Sequence, residues 1–164
     1  MLTANRAREL LALDPGTGVL TWRIKPNRRI RIGSVAGSLR PDGYLCIRVE
    51  GNIYQCHRIN WLIIHGSWPN GEIDHINGIT TDNRITNLRD VTRAENSQNQ
   101  RRGMSNNKLG VLGVRRLRGR FTAQIGIDHR VIYLGTFITQ EAAQTAYLLA
   151  KQKLHPFSTT RIEQ

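Results

Sequence analysis

The sequence predicts an α+β protein: a β-hairpin and helix lead into a strand–strand–helix core, and a small three-stranded antiparallel sheet packed on one helix follows. Three observations predict this. Short runs in which apolar and polar residues alternate, such as Tyr44 to Glu50, are bounded by Gly51-Asn52, Asn77-Gly78 and Pro41-Asp42-Gly43, the residues of tight turns. Residues 72–99 (EIDHINGITTDNRITNLRDVTRAENSQN) set two strand-like segments about a polar loop and add a helical segment. Beyond a polar stretch at 101–110, three more strand-like segments precede an alanine-rich one of helical period.

Taken in order, residues 2–13 read as a helix with Thr3 near its N-cap and Leu10, Leu11 and Leu13 for burial, ended by Pro15-Gly16-Thr17-Gly18. Residues 19–23 read as a strand with Trp22, and 25–32 as a basic loop. Residues 44–50 and 53–57 form the hairpin. In its first strand Leu45, Ile47 and Val49 alternate with Tyr44, Cys46 and Arg48. Residues 58–64 read as an apolar helix closed by His65-Gly66, and Pro69-Asn70-Gly71 turns the chain into the central segment. There Asn77-Gly78 favours φ > 0, and 88–91 returns as the second strand. Thr92 with Glu95 has the spacing of a capping box, so Asn96 and Asn99 share one helix face. Residues 101–110 read as a linker, with a boundary near 106. Strands are expected at 111–117, 121–128 and 130–137. Thr139 then caps a helix to about Leu154, with Ala143, Ala146, Tyr147, Ala150 and Leu154 in one stripe.

Charge narrows the function. The chain carries a net charge of +12, with 20 arginines against four lysines, and its pI is about 11.0. Arginine presents a planar fork of donors to phosphate, so the bias points to nucleic acid. Residues 23–40 hold six basic residues and no acid; 101–130 hold eight against Asp128 alone; 72–95 hold five acids and three arginines. An acidic centre between basic flanks is what a cation site on a polyanion-binding protein requires. Mean hydropathy is −0.41. There is no run near the roughly 20 apolar residues of a membrane span and no signal-peptide core at the N-terminus. Cys46 and Cys56 either pair or pack as reduced thiols; reduced thiols of a cytosolic protein are the expectation.

Chemistry concentrates in Asp74, His75, Asn87 and Asn96. A carboxylate and an amide oxygen are hard ligands suited to Mg²⁺. A neutral imidazole takes a proton from water near pH 7, and a second amide orients it or ties down the loop. Together these residue types suit metal-assisted phosphodiester hydrolysis. Adjacent strand residues face opposite sides, so Asp74 and His75 share one site only where the strand ends or bends. Asn83 reads as a turn residue, Asp82 as closing the loop against Arg84, and Asn99 as either a support of the site or a helix-end residue. His65, His129 and His155 read as surface or helix-end residues.

The Asp74-His75 pair, Asp82-Asn83-Arg84 leading to Asn87-Leu88-Arg89, and Asn96 with Asn99 resemble the HNH nuclease motif, the ββα-metal fold. The run GYLCIRVEGNIYQCHRINWLIIHG resembles the hairpin and His-Arg helix that precede it in phage members. The resemblance implies His75 as general base with Asn87 holding loop and base, and Asp74 and Asn96 as ligands of one Mg²⁺ or Mn²⁺. His57 is then a structural residue fixing the hairpin against the central unit. Asn96 stands where many members carry a third His, as in a phage and intron-encoded branch. Gly113-Val114-Arg115, Gly119-Arg120-Phe121, Ala123 with Ile125, Val131 with Tyr133-Leu134-Gly135-Thr136-Phe137, and Glu141-Ala142-Ala143 with Ala146-Tyr147 resemble the plant ethylene-response-factor (Apetala-type) DNA-binding domain. Phe121 stands at its usual Trp. That resemblance implies a sheet in the major groove, with Arg115, Arg116, Arg118, Arg120 and Arg130 contacting DNA; the basic loop adds Arg28, Arg29 and Arg31.

The expected organisation is residues 1–66 leading into the nuclease core at 67–100 as one unit, a linker at 101–110, a DNA-binding module at 111–157 and a tail at 158–164. The expected function is a homing-type endonuclease hydrolysing double-stranded DNA as a monomer. It would act in the cytoplasm, the host's if phage-encoded, with neither membrane nor small-molecule cofactor. The rival expectations are a catalytically inactive, sequence-specific DNA-binding regulator and a structural RNA-binding protein.

Overall fold

The structure, a computed structural model, describes residues 1–100, 107, 109–127 and 130–158. It is a mixed chain of helices and small antiparallel sheets, and it divides into two compact units, Met1–Arg93 and Ala94–Gln164. Among the described residues no helix is long and apolar enough to cross a membrane.

In the first unit, helix α1 (Ala4–Leu10) opens on Thr3, whose hydroxyl accepts from the Arg6 N–H at 3.2 Å. The helix ends short of the expected Leu13. Leu11–Leu13 is instead strand β1, paired antiparallel with β2 (Leu20–Trp22). The turn decides this. Asp14 accepts from the Gly16 N–H at 2.9 Å and the Thr17 hydroxyl at 2.8 Å, while Gly18 takes φ 73°. Such an Asx turn folds the chain back, so a hairpin rather than a helix buries Leu11 and Leu20.

Strands β3 (Ser38–Leu39), β4 (Leu45–Val49) and β5 (Asn52–Gln55) form a sheet in that order; β3 is too short to show alternation in the sequence. Helix α2 (Cys56–His65) starts before the expected residue 58, so Cys56 and His57 lie in its first turn, and it ends on Gly66 at φ 79°. The core joins Ala7, Leu10, Leu11, Trp22, Ile47, Val49, Ile59 and Leu62. Cys46 and Cys56 are free and buried, and burial pushes the Cys56 thiol up to about 12, in line with a packed neutral thiol. Strands β6 (Glu72–His75) and β7 (Leu88–Val91) pair antiparallel across a loop with a 3-10 turn at Ile85–Asn87. Helix α3 (Arg93–Gln98) follows, which completes the strand–strand–helix order.

In the second unit, β8 (Val114–Leu117), β9 (Arg120–Ile127) and β10 (Arg130–Phe137) form an antiparallel sheet with β9 central. Helix α4 (Gln140–Leu154) starts at Thr139, whose hydroxyl accepts from the Ala142 N–H at 3.2 Å. Val114, Ala123 and Ile125 pack with Ala143 and Tyr147. The expected stripe fails at its last turn: Leu154 is exposed, and Lys151 is buried with its ammonium donating to the Gln100 carbonyl. The Gln98 side-chain carbonyl likewise accepts from the Phe157 N–H at 3.4 Å. These bonds attach the end of α3 to the C-terminal helix region, and the division accordingly falls at Arg93, earlier than residue 106. Of the expected linker, residues 101–106 and 108 lie outside the described residues.

Gly113 holds φ 66°, and a Cβ there would fall 2.0 Å from the Tyr147 ring. Both strain and overlap oppose a side chain. Gly113→Ala should destabilise the second unit by about 2 kcal/mol or more while the first unit's transition stays in place, as read by urea unfolding with residue-resolved NMR.

Candidate functional site

Strand β6 ends at His75. Asp74 stands opposite Arg89 and His75 opposite Leu88, so the pleat turns the two side chains to opposite faces. Just beyond, the Gly78 N–H donates to the His75 carbonyl at 2.8 Å and Gly78 takes φ 72°. The strand therefore ends at His75.

Asp74 is buried, and a buried carboxylate needs a partner. Arg89 supplies it: its Nε and Nη2 donate to Asp74 Oδ2 at 2.8 and 2.6 Å. His75 is 4 % exposed, and its Nε2 lies 2.9 Å from Asn83 Oδ1. An amide oxygen only accepts, so Nε2 donates in this contact, and in the neutral form of the ring that puts the lone pair on Nδ1. The His57 ring stands edge-on to His75 at 5.0 Å, and Tyr44 lies 5.5 Å from His57 and 6.1 Å from His75. Burial, then the neighbouring His75 and Arg58, hold His57 down to about 3. Its ring is neutral at pH 7. Burial, assisted by Asp42, Asp74 and Glu72, raises the Tyr44 hydroxyl.

The loop between the strands is tied by amides. Asn87 Oδ1 accepts from the Asn77 N–H at 2.9 Å, and Asn87 Nδ2 donates to Asn77 Oδ1 at 3.0 Å and to the Asp82 carbonyl at 2.8 Å. Asp82 accepts from Arg84 Nε and Nη2 at 2.7 and 2.6 Å and from Asn77 Nδ2 at 2.7 Å. The Arg84 bond, foremost, lowers its carboxyl to about 2. Asn87 thus holds the loop, and the hydrogen bond to the imidazole comes from Asn83, which the sequence suggested only as a turn residue. Burial to 2 % exposure is what separates Asn83 from a solvated turn asparagine. His57, too, is more than a hairpin anchor, since it packs on the imidazole.

Asn96 stands half-buried on α3, and Asn99 is buried just after it, its N–H donating to the Asn96 carbonyl at 3.1 Å. Both are counted with the second unit. Among the described residues no group of three or more His, Cys, Asp and Glu comes together to hold a metal ion. Carboxylate and amide oxygens, the donor types of Asp74 and Asn96, are of the kind that Mg²⁺ accepts alongside water.

The arginines of the second unit divide by register. Arg115 pairs with Thr122 and Arg116 with Phe121. The Arg116 guanidinium lies 5.9 Å from the centre of the Phe121 ring, and Phe121 packs against the core under α4. Arg115 and Arg120 therefore share the opposite face with the exposed Val131 and Tyr133 and the buried Thr122, and there the hydroxyls of Tyr133 and Thr136 meet at 2.8 Å. Arg118 occupies the turn at φ 48°. Arg130 pairs with Ile127 on the helix side. In the first unit Arg28, Arg29 and Arg31 are exposed on their loop, anchored by Ile30, which packs on the core.

The His57 environment yields a pH dependence. Its folded value lies below the ordinary 6.5, so the unfolded chain binds the extra proton. Stability is full above about pH 6.5 and falls as pH drops from there toward 3. Between pH 7 and 4.5 the loss from this group is about 2–3 kcal/mol. His57→Phe should remove that increment, as measured by urea unfolding at the two pH values.

Residues 54–98 match the family model described as HNH endonuclease. No curated protein and no solved structure matches the chain. The matched stretch takes in the end of β5, α2, the β6–β7 hairpin and α3, hence His57, Asp74, His75, Asn83, Asn87 and Asn96. It supports a nuclease of the HNH kind acting on DNA.

Proposed function

We propose that the chain is a metal-dependent endonuclease that hydrolyses double-stranded DNA, with His75 as general base. The observation that carries this reading is the Nε2 contact to the buried Asn83 oxygen, which leaves the lone pair on Nδ1 and lies within the stretch matching HNH endonucleases. His75 takes the proton of the attacking water at Nδ1. Asn83 keeps the ring in one tautomer, and Asn87 keeps the loop from relaxing. Asp74 is proposed as an oxygen ligand of one Mg²⁺ or Mn²⁺, the role that the family resemblance also gives to Asn96. When bound, such an ion stabilises charge on the phosphate and on the leaving oxygen.

We further propose that the second unit, with its likeness to the ethylene-response-factor domain, binds duplex DNA through the open face of its sheet, and that Arg28, Arg29 and Arg31 contact the backbone. A phage-borne homing enzyme acting as a monomer fits this arrangement. A second reading has one observation in its favour: Arg89 already neutralises Asp74, as a catalytically inactive DNA-binding regulator would tolerate. Supercoiled plasmid separates the two. Nicking or linearisation with Mg²⁺ that stops on chelation supports the enzyme; its absence at concentrations that bind DNA supports the regulator.

His75→Ala should lower cleavage by about 10²–10⁴-fold with DNA affinity retained; wild-type turnover would refute the base assignment. On the open face, Arg115→Ala and Arg120→Ala should each cost about 1–3 kcal/mol at a single base pair. Arg118→Ala should weaken all sequences alike and reduce the salt slope by about one phosphate. Binding-site selection on each variant checks this, and an unchanged selected sequence for both Arg115→Ala and Arg120→Ala would refute groove docking by the sheet.

A further inference from the structure

We infer that Asn60, on α2, is a positioning residue for the nuclease site: it fixes the backbone of Asn83 and thereby the imidazole that the Asn83 amide holds. The inference rests on His75 being the base.

Asn60 is fully buried. Its Nδ2 donates to the Asn83 carbonyl at 2.9 Å and to the Gly18 carbonyl at 2.8 Å, which uses both amide hydrogens. Its Oδ1 has no partner among the described residues, and a buried unpaired acceptor is a cost. The two donations are what the residue contributes. Both go to main-chain carbonyls, so they locate backbone rather than a movable side chain. The Gly18 backbone closes the clamp: a Cβ there would fall 2.2 Å from the Asn83 carbonyl carbon. Residue 83 is held between helix and hairpin turn, and its own side chain reaches His75 at 2.9 Å.

The same helix meets the imidazole a second time. His57 precedes Asn60 by three positions, hence on the same face, and packs its ring on His75 at 5.0 Å. Helix α2 therefore bears on the imidazole twice: directly through His57, and through Asn83 by way of Asn60. Neither residue meets a scissile phosphate in this scheme. Their effect is on where Nδ1 points, and a displacement of about 1 Å at a reacting group costs on the order of 10²-fold in rate.

The test uses the full chain, Mg²⁺ and a duplex that the wild-type protein cleaves, with His75→Ala as the control for the underlying reading. Asn60→Ser should lower kcat by about 10-fold or more with KM unchanged. In an Asn83→Ala background the same substitution should change kcat less than about twofold, because the route through Asn83 is gone. The ¹⁵N spectrum of His75 should show the Nε2–H tautomer in the wild type and a mixture in Asn60→Ser. Equal losses in both backgrounds, or a folded Asn60→Ser with wild-type kcat and tautomer, would overturn the inference while leaving His75 as the base. Wild-type cleavage by His75→Ala would overturn both. If Asn60→Ser does not fold, Gly18→Ala displaces the same segment from the other side and is measured in the same two backgrounds with the same criteria.

Discussion

The contact between His75 Nε2 and Asn83 Oδ1 is the constraint on which the site depends. An imidazole has two nitrogens of similar basicity, and only its surroundings decide which one holds the hydrogen. Here an amide oxygen decides it, inside a volume from which solvent is almost excluded. That bond is useful only if Asn83 is itself immobile. The loop carrying it is closed by Asn77, Asp82, Arg84 and Asn87 on one side and by Asn60 and Gly18 on the other. Much of the first unit's architecture, from the N-terminal hairpin to α2, converges on one peptide group.

Asp74 is held differently. Its partner is a guanidinium, which offsets the cost of burying the carboxylate. The acidic centre noted in the sequence is thus partly internal: Asp74 with Arg89 and Asp82 with Arg84 are ion pairs. The net charge of the chain is carried by arginines elsewhere, on the basic loop and on the second unit. Fields of that kind attract a polyanion from a distance, whereas the paired centre acts at contact range.

Much of this was legible in the sequence, for physical reasons that differ by element. Alternation and turn residues located β4, β5 and the β6–β7 hairpin, and Thr3 and Thr139 marked both helix starts, because capping is a local interaction. The helix expected through Leu13 was not local in that sense: its leucines suit either period, and the Asp14 turn decides between them. Lys151 defeated the apolar stripe of α4 because a long side chain can be buried when its ammonium finds a carbonyl. Around the imidazole, residue types and spacing drew attention to Asp74, His75 and Asn87, but not to which asparagine bonds the ring and which the loop. Asn83 and Asn87 look alike in the one-letter code, and only three-dimensional burial assigns one to the ring and the other to the loop. Asn60 gave no signal at all, being a polar residue in an apolar helical run.

The turn at residues 14–18 has the composition of an ordinary surface loop, the place where chains usually accept insertions. Its last residue nevertheless abuts the main chain of Asn83 with no room for a methyl group. The length of this hairpin is therefore set by something outside it. Lengthening the turn by a residue would leave both of its strands intact and still withdraw the surface against which the loop carrying Asn83 is seated. A segment near the N-terminus, distant in sequence from every residue that meets the imidazole, thus behaves as part of the site's frame rather than as decoration on the fold.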